Sequence, residues 1–133
     1  MKKINFMFEK FNPNPLGRKD ACDCVIRAIC KITGMSWVEV YDELYQYGLS
    51  IGGFGNEKEV YSAMLKDKGY EFHAIKREKS KRACCVEQFC KEHPKGSYIL
   101  RLAHHLTAVV DGVCYDTWYP QGCSVYGYWT KEE

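Results

Sequence analysis

The chain has 133 residues, of which 46% are hydrophobic and 27% charged, and its formal net charge is +2. This length and balance are typical of a single folded domain, and they exclude a disordered chain and a membrane-embedded one. Because the net charge is small, neither a nucleic acid nor a membrane surface is expected as a partner. We therefore expect residues 1–133 to form one soluble domain.

The opening residues and the cysteines bear on the compartment. Residues 1–10 contain no long apolar run and include Glu9, so they predict neither a signal peptide nor a transmembrane segment. Without a secretory signal, the eight cysteines are expected to be free thiols in a reducing environment rather than a disulfide framework. The sequence thus predicts a cytoplasmic protein.

The first half of the chain predicts helices after an irregular start. Proline and glycine are frequent over 12–17, so about the first twenty residues are expected to lack regular structure. Ser36 followed by Glu39 is a capping-box pattern that begins a helix, and Gly34 and Gly48 are expected to end helices. The predicted helices cover residues 24–33, 36–48 and 56–68.

The second half of the chain predicts mainly strands. The charged run 76–82 is expected to be a solvated connection, and residues 83–93 a short helix that ends before Pro94. Short apolar or alternating runs predict strands over 70–75, 98–102, 105–110, 113–118 and 124–130. Helices followed by strands predict an α+β fold, in which N-terminal helices pack on a C-terminal antiparallel sheet.

A tight hairpin is predicted near the C-terminus. Asp111-Gly112 joins two apolar runs, and this dipeptide favours a two-residue type I′ turn. Such a turn fixes the register, so Val110 is expected to lie opposite Val113. Because side chains alternate along a strand, one face is expected to carry His105, Thr107, Asp116 and Trp118.

This register suggests a chemical role for the hairpin. His105 and Asp116 become diagonal neighbours within reach of each other's side chains, whereas His104 is expected to point to the opposite face. A carboxylate that orients an imidazole prepares it to act as a general base. The hairpin therefore predicts a nucleophile elsewhere in the chain.

Cys24 is the preferred candidate for that nucleophile. It begins a predicted helix just after Asp23, whose carboxylate is expected to cap the helix. A thiol in the first helical turn lies near the positive end of the helix dipole, and an imidazolium nearby lowers its pKa further. Cys84 and Cys85 are rival candidates, because they follow a basic run and also stand near the start of a predicted helix.

Three short segments resemble those of papain-like cysteine peptidases, especially small bacterial and phage members related to bacteriocin-leader-processing peptidases. They are residues 23–28 (DCVIRA), 105–112 (HLTAVVDG) and 116–118 (DTW). The resemblance implies that Cys24 is the nucleophile, that His105 moves the proton, that Asp116 orients His105, and that Trp118 shields their hydrogen bond. It implies cleavage of a peptide or related amide bond in a peptide or protein substrate, with neither cofactor nor metal.

The chain departs from the family pattern in two places. Papain-like enzymes usually carry a Gln shortly before the cysteine, and the side chain of this Gln donates into the oxyanion hole. This chain has no Gln at that place. Arg18 stands at the equivalent spacing and Asn14 lies further upstream, so these are the side-chain candidates beside the backbone amide of Cys24. Relatives often have Gly where this chain has His104.

Other functions stay open at the level of sequence. The same apparatus transfers an acyl group to an amine as readily as to water, so a transferase is an alternative to a hydrolase. A catalytically inactive binding module on the same scaffold is another. A third is a zinc-stabilised interaction domain, since thiolates and imidazoles suit that metal. Its candidate ligands are Cys22, Cys24, Cys84, Cys85, Cys90 and His93.

Overall fold

A computed structural model describes residues 7–77 and 82–132 and shows an α+β fold. Within these ranges the helices are α1 (Cys24–Thr33), α2 (Trp37–Ile51), α3 (Lys58–Asp67) and α4 (Val86–Glu92). The strands are β1 (Phe8–Lys10), β2 (Glu71–Ala74), β3 (Ser97–Leu102), β4 (His105–Val110), β5 (Val113–Asp116) and β6 (Gly127–Thr130). None of the helices in these ranges has the length and apolar character needed to cross a bilayer.

The six strands form one mixed sheet in the order β1-β5-β4-β3-β6-β2. All neighbours are antiparallel except β1 and β5, which run parallel, so the expectation of a wholly antiparallel sheet was wrong. β1 also lies in a region expected to be irregular. Its three residues are too few to show an alternating pattern, and they pair with a strand more than a hundred residues away in the sequence.

Two apolar clusters cover the two faces of the sheet. Helices α1, α2 and α3 supply most of one cluster, which includes Ile29, Met64 and Ile99, all fully buried. Helix α4 packs on the other face in a cluster that includes Phe89 and Leu100. The neighbours Ile99 and Leu100 face opposite clusters because side chains alternate along β3. The sheet is therefore sandwiched, with α1 held against its centre.

The signals at the ends of α1 and α2 are largely confirmed. Gly34 adopts a left-handed conformation (φ 76°) and caps the C-terminus of α1. The capping box of α2 is present: Glu39 N donates to Ser36 Oγ at 3.1 Å, and Ser36 N donates to Glu39 Oε1 at 3.1 Å. These two caps set the short connection between the helices.

Gly48 does not end α2, contrary to the sequence prediction. The helix continues to Ile51, and Gly52 (φ 90°) is its C-cap. Gly48 is buried, and a Cβ atom there would lie 2.5 Å from the carbonyl oxygen of Gly53. The glycine is needed because it lets the following loop pack directly on the helix.

Several of the remaining predicted elements are shorter than expected. The helix predicted over 83–93 begins at Val86, with Cys85 at its N-cap, and the last strand begins at Gly127 rather than at Ser124. Ser124 forms an isolated bridge with Cys85 instead. Part of the charged connection predicted over 76–82, namely residues 78–81, lies outside the described residues.

Candidate functional site

The β4–β5 hairpin has the predicted turn and register. Asp111 (φ 49°) and Gly112 (φ 76°) both have positive φ, as a type I′ turn requires. Val110 pairs with Val113, and the antiparallel register continues through Cys114 opposite Val109. The hairpin therefore presents His105 and Asp116 together at the end away from its turn.

His105 and Asp116 are hydrogen-bonded directly. The imidazole Nε2 lies 2.7 Å from Asp116 Oδ2. An ionised carboxylate only accepts, so Nε2 carries the proton in this bond and Nδ1 is the nitrogen left for another partner. Trp118 lies beside the pair, with its ring centroid 5.2 Å from that of His105, and is 48% exposed. The indole therefore covers one side of the imidazole while still facing solvent.

Cys24 is the first residue of α1, and the side chain of His105 interacts with its thiol. Burial acts to raise the pKa of Cys24, but hydrogen bonds with the His105 side chain and the Leu106 backbone, and the charges of His105 and Arg27, lower it below the ordinary value. This contact uses Nδ1, because Nε2 is bonded to Asp116. The three residues chosen from the sequence are therefore connected through one imidazole ring.

Asp116 is almost completely buried, and both of its oxygens are fully used. Oδ2 accepts from His105 Nε2 and from Thr107 Oγ1 at 2.6 Å. Oδ1 accepts from Thr117 N at 2.7 Å and from Arg27 Nη2 at 3.1 Å. With a longer bond of 3.5 Å from Thr117 Oγ1, donors from four residues surround one carboxylate, so its position and its ionised state are both stabilised.

Arg27 is a functional residue that the sequence analysis missed. It lies one turn after Cys24 on α1, is buried, and joins two carboxylates: Nη2 bonds to Asp116, and Nη1 bonds to Asp23. Asp23 does not cap α1 with its side chain, contrary to the prediction. Its other oxygen accepts from Trp37 Nε1 at 2.9 Å. The spacing of four between Asp23 and Arg27 was the available signal, since such pairs face each other on a helix.

The site is a row of alternating charges. It runs from Asp23 to Arg27, Asp116, His105 and Cys24. Burial opposes charging of His105, but hydrogen bonds to Asp116 and Cys24 raise its pKa to about 9. Burial likewise opposes ionisation of Asp116, yet hydrogen bonds from His105 and Thr107 lower its pKa. The contacts of the two groups therefore shift the Cys24–His105 pair towards thiolate and imidazolium.

The two side chains suggested as oxyanion donors are engaged elsewhere. Asn14 Nδ2 donates to Asp23 Oδ2 at 3.4 Å, and its Oδ1 accepts from Leu16 N. Arg18 is exposed and bonds to Asp20 at 3.1 Å. Neither lines the cleft around Cys24. The backbone N–H of Cys24 remains as a candidate oxyanion donor, because α1 begins at Cys24 without a side-chain cap.

The other cysteines differ from Cys24 in their environment. Burial raises the pKa of Cys84, and it raises those of Cys30, Cys90 and Cys114 to about 11, 11 and 12. Over residues 7–77 and 82–132, no group of three or more His, Cys, Asp or Glu side chains is arranged to hold a metal ion. The zinc alternative therefore finds no cluster of ligands in the described part of the chain.

The imidazole opens onto a cleft of about 760 Å³. Cys24, His105 and Trp118 line it, as does His104. His104 was expected on the sheet face opposite Asp116, but it lies in the turn between β3 and β4, is exposed, and has a positive φ of 52°. Cys24 and His105 therefore border the same open cleft.

The chain was compared with protein-family models, with curated proteins and with solved structures, and none of the three comparisons finds a match.

Proposed function

We propose that the protein is a thiol hydrolase of the papain-like type that cleaves a peptide or related amide bond. The observation that carries the proposal is that one imidazole, His105, is bonded to the buried carboxylate of Asp116 and borders the same cleft as the Cys24 thiol, which stands at the start of a helix and whose pKa it lowers. This is the arrangement of nucleophile, base and orienting group that acyl transfer requires. The open cleft supplies access for a chain of residues.

The reaction has two stages. The Cys24 thiolate attacks the carbonyl carbon, and the tetrahedral intermediate collapses as His105 gives its Nδ1 proton to the leaving amine. Water then attacks the resulting thioester while Nδ1 takes a proton from it, and the carboxylic acid leaves as the Cys24 thiolate is restored. Asp116 keeps the ring oriented throughout, because Nε2–H stays bonded to its carboxylate.

The negative charge on the substrate oxygen needs its own donors. In this proposal they are backbone N–H groups of the first turn of α1, including that of Cys24, which have no partner within the helix. Their location next to the attacking sulfur fits the oxygen of the same carbonyl group. The positive end of the helix dipole adds to this stabilisation.

The same site is compatible with transfer of the acyl group to an amine instead of water. We also propose that the chain works in a reducing compartment such as the cytoplasm. All eight cysteines are free thiols, and the mechanism requires Cys24 to stay reduced.

A non-catalytic binding module is the second candidate. It is favoured by one observation, namely that Asn14 and Arg18 are both engaged outside the cleft. The two candidates differ in the reactivity of Cys24, which a binding module does not need.

Selective alkylation of Cys24 tests the proposed function. At mildly acidic pH, iodoacetamide is expected to label Cys24 before the other thiols, because the surrounding positive charges lower the pKa of Cys24 while burial raises those of Cys30, Cys84, Cys90 and Cys114. Peptide mass spectrometry locates the label. Cys22 is the matched control, since it lies two residues away and is exposed.

First labelling at Cys84 or Cys85, with Cys24 inert, would show that the wrong nucleophile has been chosen. A reactive Cys24 that forms no thioester with any activated ester would favour the binding module. An adduct at Cys24 of the mass of the acyl group, followed by its release, supports the hydrolase.

Substitutions of Asp116 are expected to separate orientation from charge. Asp116→Ala removes the acceptor for Nε2–H and leaves the imidazole free to rotate, so Cys24 acylation is expected to fall strongly. Asp116→Asn keeps an acceptor for His105 but turns its amide towards the donors Arg27 Nη2 and Thr117 N. We expect this variant to retain part of the rate and to lose about 1–3 kcal/mol of unfolding free energy.

The rate of Cys24 acylation by an activated ester is measured for both variants, and urea unfolding measures their stability. A wild-type rate in Asp116→Ala would remove Asp116 from the site. Unchanged stability in Asp116→Asn would contradict the environment of donors from four residues around the carboxylate.

A further inference from the structure

A second cavity opens beside the cleft and has a different character. It has a volume of about 490 Å³ and lies between the start of α1, the outer face of α2 and the loop that follows α2. We name it the α2 groove. It shares Cys22, Val25 and Asn56 with the cleft that contains Cys24. The two cavities therefore form one continuous surface on which an extended chain can lie.

The walls of the α2 groove are apolar and exposed. Tyr41, Tyr45 and Leu49 repeat every four residues along one side of α2, and each is more than half exposed. Phe54 projects from the loop with 78% of its surface exposed. Large apolar side chains gathered in one concave place are unusual on the surface of a folded domain, and they are typical of a binding site.

The loop that carries Phe54 is held in place on α2. Gly52 N and Gly53 N both donate to Gly48 O, at 2.7 and 3.0 Å. The absence of a side chain at Gly48 permits this contact, and the Glu57 carboxylate accepts from Phe54 N. The groove is therefore formed before any ligand arrives, which lowers the entropy cost of binding.

The cleft that contains Cys24 has basic side chains in its wall. Lys58 and Arg101 line it, and across residues 7–77 and 82–132 no carboxylate lies within ion-pair distance of either side chain. The acidic side chain facing the cleft, Asp20, is paired with Arg18. Tyr61 lines the cleft together with Arg101 and Cys24. Burial raises the pKa of Tyr61, and the positive charge of Arg101 opposes this rise.

We propose that the site selects peptides that carry a bulky apolar side chain and a carboxylate close to the susceptible bond. The apolar side chain occupies the α2 groove, and the carboxylate pairs with Arg101 and Lys58. This proposal rests on the proposed function for the existence of a susceptible bond, but the two subsites bind independently of cleavage. The α2 groove is continuous with the cleft that contains Cys24, and the basic side chains of that cleft complement a carboxylate. We therefore identify the occupant of both subsites as the substrate peptide.

Binding to the Cys24→Ala variant tests the two subsites without turnover. The probes are fluorescein-labelled peptides in which a Leu-Phe pair and a Glu-Asp pair flank a short Ala-Ser spacer, made in both orders. One order is expected to bind about tenfold more tightly than a peptide with serines in place of the apolar pair. Replacing the acidic pair by Gln-Asn is expected to weaken binding about fivefold at low salt, and this difference should shrink as salt is added.

Matched variants assign each effect to its subsite. Leu49→Gln and Phe54→Ser should abolish the preference for the apolar pair and keep that for the acidic pair, and Arg101→Gln and Lys58→Gln should do the reverse. Val38→Gln is the control for an exposed apolar residue of α2 outside the groove, and Lys66→Gln is the control for a lysine of α3 outside the cleft.

The outcomes separate the substrate class from the reaction. If neither order of the peptide binds better than its polar control, the proposed substrate class is wrong. Dimerisation that is lost in Leu49→Gln, without peptide binding, would also overturn it by assigning the groove to a second copy of the chain. Selective binding to Cys24→Ala without cleavage by the wild type would uphold the subsites and refute the hydrolase.

Discussion

Replacing His105 by Ala is expected to lower the rate of Cys24 alkylation at neutral pH by about 10²–10⁴-fold. Burial acts to raise the pKa of Cys24, and the side-chain hydrogen bond and charge of His105 are among the contacts that lower it. Without the imidazole, the thiol stays protonated at neutral pH, and its labelling should recover only towards alkaline pH. The rate of iodoacetamide labelling, followed against pH, measures the effect.

His104→Asn is the matched control for this substitution. Asparagine tolerates the positive φ of 52° at this position, so the β3–β4 turn is retained. His104 is exposed in that turn, and we expect the variant to keep most of the wild-type labelling rate. Equal losses in the two variants would show that His104 shares the task and that the hairpin alone does not select the base.

Arg27→Met is expected to lower the free energy of unfolding by about 3–5 kcal/mol, because it leaves two buried carboxylates without their common cation. Its effect on the site is distinct from this loss. The charge of Arg27 contributes to lowering the pKa of Cys24, so the pH midpoint of Cys24 labelling should move upwards in the variant that remains folded. Urea unfolding and labelling against pH measure the two effects.

Two further variants make this prediction specific. Arg18→Met removes an exposed arginine paired with Asp20. We expect the free energy of unfolding to change by less than about 1 kcal/mol. Arg27→Lys keeps the positive charge but loses the planar group that bonds to both carboxylates. The pH midpoint of Cys24 labelling should therefore return closer to the wild-type value than the free energy of unfolding does. If Arg27→Met and Arg18→Met unfold at the same urea concentration, Arg27 does not hold the two carboxylates.

The parts of the site that sequence reasoning predicted depend on local rules. Asp111-Gly112 specifies a turn, the turn fixes the register, and the alternation of side chains then brings His105 and Asp116 together. The start of a helix defined by its apolar spacing makes Cys24 a candidate in the same way, and the resemblance to papain-like peptidases separates it from Cys84 and Cys85. Each inference needs only residues near one another in the chain.

The missed parts depend on contacts between distant segments. In the sequence, nothing distinguishes Arg27 from an ordinary helical arginine, because its bond to Asp116 joins distant segments. The β1–β5 pairing and the position of α4 on the second face of the sheet are likewise long-range. Gly48 shows a different difficulty. Glycine is common at the ends of helices and also where two backbone segments pack closely, and the sequence around Gly48 is compatible with both roles. Local propensity cannot distinguish these cases.

The separation of α1 from the β4–β5 hairpin along the chain has a consequence for biosynthesis. A ribosome makes Cys24 before it makes His105 and Asp116. Until the hairpin emerges and docks on α1, the Cys24 thiol lacks the contacts that lower its pKa, so it is a poor nucleophile. The pKa of Cys24 is therefore lowered only after the hairpin has been synthesised and has docked on α1, and not while α1 stands alone.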